Sequence, residues 1–327
     1  MTDTRSLPHL SVLLPTLALH PQEFPPFMSL VQQTTARRLW TGQPLLMDAC
    51  QGFAYGAGKG FRVPVGTAVA LAPTRHPFEA ALQARGLAMT TGHTVEMGFG
   101  PGDPVFQRGL LGRPWRSPLT AMREFIVACR ELLAGKPVGL RGEYYTLLGR
   151  QGATRHPRVR LGLGVLRPAM ARLAGEVADT AITWLTPPAY IAGTLRPAML
   201  AGAERAGRPA PRVVAAVHVA LDRAGRDPLD LLYRTSAGHL RAAHYLDMLD
   251  RAGVPTDRDD WRIAAKGLIE AGVFLYGDPG TLAAGLRGYA EAGVDEVILN
   301  LHGAATTQGV QETLDELRAV LELGAVR

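Results

Sequence analysis

Short apolar runs alternate with amphipathic stretches along the whole chain. Residues 10–15 (Leu-Ser-Val-Leu-Leu-Pro) read as a buried strand closed by proline, and residues 63–71, 94–100 and 212–220 repeat that pattern. Between them the apolar period lengthens to that of helices. Residues 27–37 predict one helix, which leads into a further run at Arg38-Leu39-Trp40-Thr41-Gly42-Gln43. Residues 77–90 predict a second helix, with Phe78, Leu82, Leu87 and Met89 as its apolar positions. A third opens at Ser117-Pro118, a cap followed by a first-turn proline, and stops at Gly135. Its apolar face is Met122, Phe125, Ile126, Cys129, Leu132 and Leu133. Near the end, a helix over residues 280–293 precedes a strand over residues 295–301.

The densest signal lies at residues 162–187. Gly162-Leu163-Gly164-Val165 reads as a strand, Leu166-Arg167-Pro168 as a tight turn, and the residues to Asp179 as an amphipathic helix. Thr180-Ala181-Ile182-Thr183-Trp184-Leu185-Thr186-Pro187 then gives a further strand. Proline at the first helical position has no N–H to lose. The N–H groups that follow face any anion placed at the turn, and the Arg167 guanidinium adds a charged fork. A plain helix start without a ligand is the alternative reading.

About eight strands, each with a helical partner, predict a single α/β domain over residues 1–327, a closed (β/α)8 TIM barrel. An open doubly wound sheet is the runner-up, but no G-x-G-x-x-G follows the first strand. Residues 225–270 are polar, helical and longer than one crossover needs. They are read as an insertion before the last βα unit, suited to a lid or a partner surface.

Composition narrows the function classes. The 327 residues are 47% hydrophobic, enough for one large core. The net charge of +6 is mild and spread out, with no basic stripe and no zinc spacing, so nucleic acid is not the expected partner. It suits an anionic small molecule or cofactor better. Two cysteines, Cys50 and Cys129, are read as reduced thiols rather than a disulfide framework. Residues 1–6 carry no apolar leader stretch and no run reaches the length of a membrane span, so a cytoplasmic protein without membrane contact is expected.

In such a barrel the chemistry sits at the C-terminal ends of the strands. The residues there are small, apolar or glycine, with no thiol nucleophile and no metal-ligand cluster. That suits a flat cofactor carrying its own chemistry. Glycines at Gly98, Gly100 and Gly102 permit close approach to a ring, and are otherwise ordinary loop glycines. Ala68-Val69 sits on the same face, as a bulge or as an ordinary strand bond.

These segments resemble the bacterial luciferase-like superfamily of flavin- and deazaflavin-dependent oxidoreductases, in particular its coenzyme F420-dependent branch. The resemblance runs from about Val12 to Leu301. It is carried by Val65-Gly66-Thr67-Ala68-Val69 with Thr74-Arg75-His76-Pro77, by Met97-Gly98-Phe99-Gly100, and by Pro118-Leu119-Thr120-Ala121-Met122-Arg123-Glu124-Phe125. Arg172-Leu173-Ala174-Gly175-Glu176-Val177-Ala178-Asp179 with Ile182-Thr183-Trp184-Leu185-Thr186 completes it.

The resemblance implies a TIM barrel that binds F420, with FMN as the alternative. It implies a phosphate seat at Gly164, Val165, Leu166, Arg167 and Pro168, with Thr183, Trp184 and Leu185 nearby. The family's non-prolyl cis peptide falls on Ala68-Val69. Gly42, Gln43, Thr67, Gly100, Pro101 and Gly102 complete the cofactor-facing set. Gly42-Gln43 departs from the Asp-His of some F420 enzymes, which leaves the acid/base residue open among Asp103, His218, His302, Tyr55 and solvent. The loop at residues 52–60 is read as mobile, closing over substrate, or as a plain surface loop.

The implied reaction is hydride transfer from reduced F420 to an activated C=C or C=N of a small-molecule or peptide substrate. A dehydroamino acid in a ribosomal peptide, or another secondary metabolite, is one such acceptor. An FMNH2-dependent monooxygenase and a non-catalytic cofactor- or peptide-binding scaffold are the rivals. A homodimer is the family's usual state.

Overall fold

The computed structural model describes residues 7–43, 45–257 and 259–324. Residues 1–6, read above for the absence of a leader, lie outside them. Eight parallel strands close on themselves: β1 (His9–Leu13), β2 (Leu39–Thr41), β3 (Val65–Leu71), β4 (Val95–Gly100), β7 (Val159–Gly164), β8 (Thr180–Trp184), β9 (Arg212–Leu221) and β11 (Glu296–Asn300). β8 pairs with β9, and β11 with both β9 and β1, which shuts the ring. This is the (β/α)8 barrel that the alternation predicts. A hairpin of β5 (Val138–Arg141) and β6 (Thr146–Gly149) stands apart from it. β10 (Phe274–Gly277) extends the upper half of β9 beyond the ring.

The helices are α1 (Phe24–Gln33), α2 (Ala49–Gly58), α3 (Pro77–Thr91), α4 (Pro104–Leu111), α5 (Pro118–Leu133), α6 (Pro168–Val177), α7 (Pro188–Tyr190) and α8 (Arg196–Arg205). The segment after β9 folds as α9 (Pro228–Ser236), α10 (Ala243–Arg251) and α11 (Trp261–Glu270), the helical insertion expected before the last unit. α12 (Pro279–Glu291) and α13 (His302–Glu322) close the order, α13 breaking at Gly309 with φ +81°. Among the described residues no helix is long and apolar enough to cross a membrane.

Alternate residues of each strand point into the barrel, so two-residue steps build it in layers. The middle layer is apolar: Leu13, Trp40, Ala68, Ile182, Val214, Ala216 and Ile298. Glycines make room for it. A Cβ on Gly66 would lie 2.6 Å from the Trp40 ring, and one on Gly98 would overlap Ile182 Cδ1.

One step toward the strand N-termini the layer is ionic. Glu96 and Glu296, 1% and 0% exposed, are held among Arg38, Arg160 and Arg212 at 2.6–3.1 Å. Ser11, Thr180 and the Trp40 indole N–H donate to the same carboxylates. Burial pushes the Glu296 carboxyl up, but Arg38, Ser11 and Arg212 outweigh it and hold it below the ordinary value. The charged floor closes the barrel from below.

Two expectations fail here. The α3 face is not Phe78, Leu82 and Met89, which are exposed, but an alanine face of Ala80, Ala81, Ala84 and Ala88 with Leu87. Small side chains let α3 lie close to its neighbours. Residues 52–60 are not a mobile loop either, since α2 runs through them. Gly52 and Gly56 sit against Phe24 and Met28 of α1, where a Cβ would overlap both side chains. Their glycines serve helix packing rather than flexibility.

Candidate active site

One step above the apolar layer lies the mouth, formed by Trp184, His218 and Asn300 together with Val69 at the upper end of β3. The Ala68–Val69 peptide is cis. β3 loses its register with β4 between Thr67 and Ala70, and the Val69 side chain stands over β4 and β7. A Cβ on Gly100 would come 2.8 Å from Val69 Cγ2, and one on Gly164 3.4 Å. The space left open by these glycines is therefore filled by Val69, not kept free for a ring. Thr67 is buried and donates to the Gly98 carbonyl at 2.9 Å. Gly102, with φ +67°, turns the chain from β4 toward α4. The following Asp103 caps that helix and accepts the Phe106 N–H at 2.8 Å, while Gln107 donates to the Pro101 carbonyl at 2.7 Å.

The turn after β7 leads into α6. Arg167 occupies the N-cap of α6 without capping it through its side chain, and Pro168 follows. Val165 and the strand β8 are tied by a 2.7 Å bond from its N–H to the Ile182 carbonyl. Among the described residues the buried Thr183 Oγ1 of β8 has no partner, nor has the Tyr190 hydroxyl of α7, whose surroundings include Arg167. Leu185 between them is fully buried at φ +52°, a left-handed conformation that bulky residues avoid. α6 itself is fixed by a backbone-close contact with α8. A Cβ on Gly175 would overlap the Met199 carbonyl, and one on Gly202 the Arg172 carbonyl.

The insertion reaches this turn. Asp247 of α10 lies 3.3 Å from Arg167 and 3.0 Å from Arg251. Cavities lie beside the segments that follow β1 and β2. One of about 440 Å³ is bounded by Thr16, His20, Phe27 and Val310, the other, of about 570 Å³, by Gln43, Leu46, Arg75 and His76. Neither is lined by Arg167. Gln43 Oε1 accepts from Arg75 at 2.8 Å, while Gly42 meets only the Ala68 carbonyl, 3.9 Å from where a Cβ would stand.

The four acid/base candidates are not brought together. His218 is 3% exposed, and its Nε2 lies 3.1 Å from Asn300 Nδ2 and 3.2 Å from Ser236 Oγ. Burial lowers its pKa to about 3, so no imidazolium is present at neutral pH to act as acid. His302 opens α13 beside it, its backbone N–H on Asn300 Oδ1 at 3.0 Å, and burial lowers its pKa too. Tyr55 lies about two turns down α2 with Lys59 Nζ 5.5 Å from its ring, away from the mouth. The Asp103 carboxylate is committed to its cap. The strand-end rule selects Asn300 but not its tie to His218, and it misses Ser236 altogether, because these partners are remote in the chain.

Among known proteins, a family model described as luciferase-like monooxygenase matches residues 19–296. The 5,10-methylenetetrahydromethanopterin reductase of Methanolobus tindarius is 31% identical over 146 residues, 45% of this chain and 44% of that protein. The F420-dependent glucose-6-phosphate dehydrogenase of Nakamurella multipartita is 33% identical over 157 residues, 45% of each chain. The matched stretch thus spans about half the length of these two relatives. The coenzyme F420-dependent tetrahydromethanopterin reductase of Methanopyrus kandleri superposes with a TM-score of 0.77 at 19% identity, covering 97% of this chain and 98% of that one.

Proposed function

Because the chain belongs to the luciferase-like monooxygenase family, we propose that it is an F420-dependent oxidoreductase that reduces an activated C=C or C=N bond. The observation that carries this is the α6 N-terminus: it has no side-chain cap, Arg167 stands at its N-cap, and the Tyr190 hydroxyl, unpartnered among the described residues, lies within reach of the Arg167 charge. That donor set fits the phosphate-bearing tail of F420. The F420-dependent relatives support the same cofactor.

Bound there, reduced F420 supplies the hydride. Gly164 to Pro168 would hold the tail, and Val69 would lie beside the ring. Trp184, His218 and the apolar layer beneath them shape the acceptor's place and keep water out. With His218 neutral, the His302 pKa lowered by burial as well and Asp103 capping α4, the proton that completes the reduction comes from solvent. A dehydroamino acid in a ribosomal peptide is one substrate of this class. FMNH2-dependent oxygenation is the second reading, favoured by the family's own description.

Fluorescence quenching and thermal shift with F420 and FMN, each added separately to the purified protein, test the assignment. F420 binding at low micromolar concentration with single-turnover bleaching of reduced F420 by an unsaturated ketone is the expected result. Binding of FMN alone would transfer the protein to the oxygenase reading, and binding of neither would end both.

A further inference from the structure

Among the described residues, Nε1 of Trp184 and Nδ1 of His218 in the mouth are buried and have no hydrogen-bond partner, and the same holds for Nδ1 of His239 in the covering insertion. His218 Nδ1 is a donor because of its neighbours. The His302 backbone N–H fixes the Asn300 side chain by binding Oδ1, so the Asn300 NH2 faces His218 Nε2. An amide NH2 cannot accept a proton, so Nε2 presents its lone pair and the ring proton sits on Nδ1. The rings come from adjacent strands and meet edge to face, with centroids 5.9 Å apart at 85°. Below them lie Ala68, Ile182, Ala216 and Ile298, with Val69 alongside. The indole one layer down is different, because Trp40 Nε1 donates to Glu296 at 2.9 Å.

We propose that Trp184 Nε1–H and His218 Nδ1–H together receive the carbonyl oxygen of the substrate, an α,β-unsaturated carbonyl compound whose C=C rests on the apolar layer. This rests on the hydride-transfer reading and narrows its acceptor. A carbonyl oxygen has two lone pairs and satisfies two neutral donors at once. Fixed donors at that oxygen also act most strongly as negative charge gathers there during reduction of the conjugated C=C. Asn300 and Ser236 are positioning residues for the His218 proton. Ser236 belongs to α9, and the His239 ring lies 5.7 Å from Trp184, so the insertion covers the seat.

The test is a 1H–15N NMR titration of the full chain without cofactor, using cyclohex-2-en-1-one as probe and cyclohexene as its oxygen-free control. Trp184→Phe assigns the indole resonance. The expected result is a downfield shift of the Trp184 indole N–H with the ketone and none with the alkene. Trp184→Phe weakens ketone binding at least fivefold. Asn300→Asp places a carboxylate against Nε2 and draws the ring proton to it, read directly in the histidine 15N shifts. It weakens ketone binding to a similar extent, whereas His218→Gln, which keeps an N–H, weakens it less. An unmoved Trp184 resonance at saturating ketone, or an equal response to the alkene, overturns the proposal. So does an Asn300→Asp variant that moves the proton and leaves affinity intact. F420 quenching is measured separately, so failure of the cofactor reading is distinguishable from failure of the seat.

Discussion

The Arg167 guanidinium and the Asp247 carboxylate stand 3.3 Å apart, joining the turn after β7 to the helical insertion. Both groups are largely open to solvent, at 51% and 37% exposure, so the pair itself is worth little. Its importance is positional, because Asp247 takes the place that an incoming anion would use. Asp247→Asn should tighten F420 binding about two- to fivefold, the range of a solvent-screened pair. The gain should shrink as salt rises. Fluorescence titration at two ionic strengths measures it, and an unchanged Kd would separate Asp247 from the anion's path.

Glu296 ties Arg38, Arg212, Ser11 and Trp40 together beneath the apolar layer. Glu296→Gln keeps the shape and removes the charge, leaving buried guanidinium groups short of a partner. Breaking such a pair costs about 3–5 kcal/mol. Urea unfolding should show the loss as a lower midpoint with little change in slope.

Acid should weaken the protein in two stages. His218 titrates at about 3 when folded and near 6.5 when free, so the unfolded chain takes up the proton first. The stability it contributes is complete above about pH 6.5 and declines as pH falls toward its folded value. Glu296, held below its ordinary value, adds a second loss below about pH 4. His218→Gln should reduce the first stage, which the buried His239 shares, and leave the second, as followed by urea midpoints from pH 7 to below pH 4.

Gly100→Ala pushes a methyl into Val69 Cγ2. Overpacking of this kind costs about 1–3 kcal/mol, and here it also displaces the side chain beside the proposed ring site. Gly100→Ala should therefore lose both thermal stability and F420 affinity. Adding Val69→Ala should recover part of the stability, because the two changes share one space. Strict additivity in calorimetry would refute the contact.

The barrel was legible because its strands are buried on both faces, so they read as continuous apolar runs such as Arg212–Leu221. The hairpin of β5 and β6 was not, since its residues are mostly exposed or half-exposed and only Val138 and Leu147 are buried. α2 was hidden by Gly52 and Gly56, whose demand comes from α1 rather than from their own segment. In the site, Arg167-Pro168 declares itself locally, because the turn and the helix start are adjacent in sequence. The ionic floor and the His218 proton do not, since each depends on residues contributed by distant strands. Nothing near Glu96 announces Arg212, and nothing near His218 announces Asn300.

The paired glycines at Gly175 and Gly202 set α6 against α8 main chain to main chain, with no side chain between them to rearrange. Such a joint neither slides nor tilts without breaking. The body of α6 is thus anchored like a wall bracket, while α10 packs through Leu246, Met248 and Leu249 and meets Arg167 through a solvent-washed ion pair. Accommodation of differently shaped guests falls to α10, and variants that broaden the range of accepted molecules should arise there far sooner than along α6.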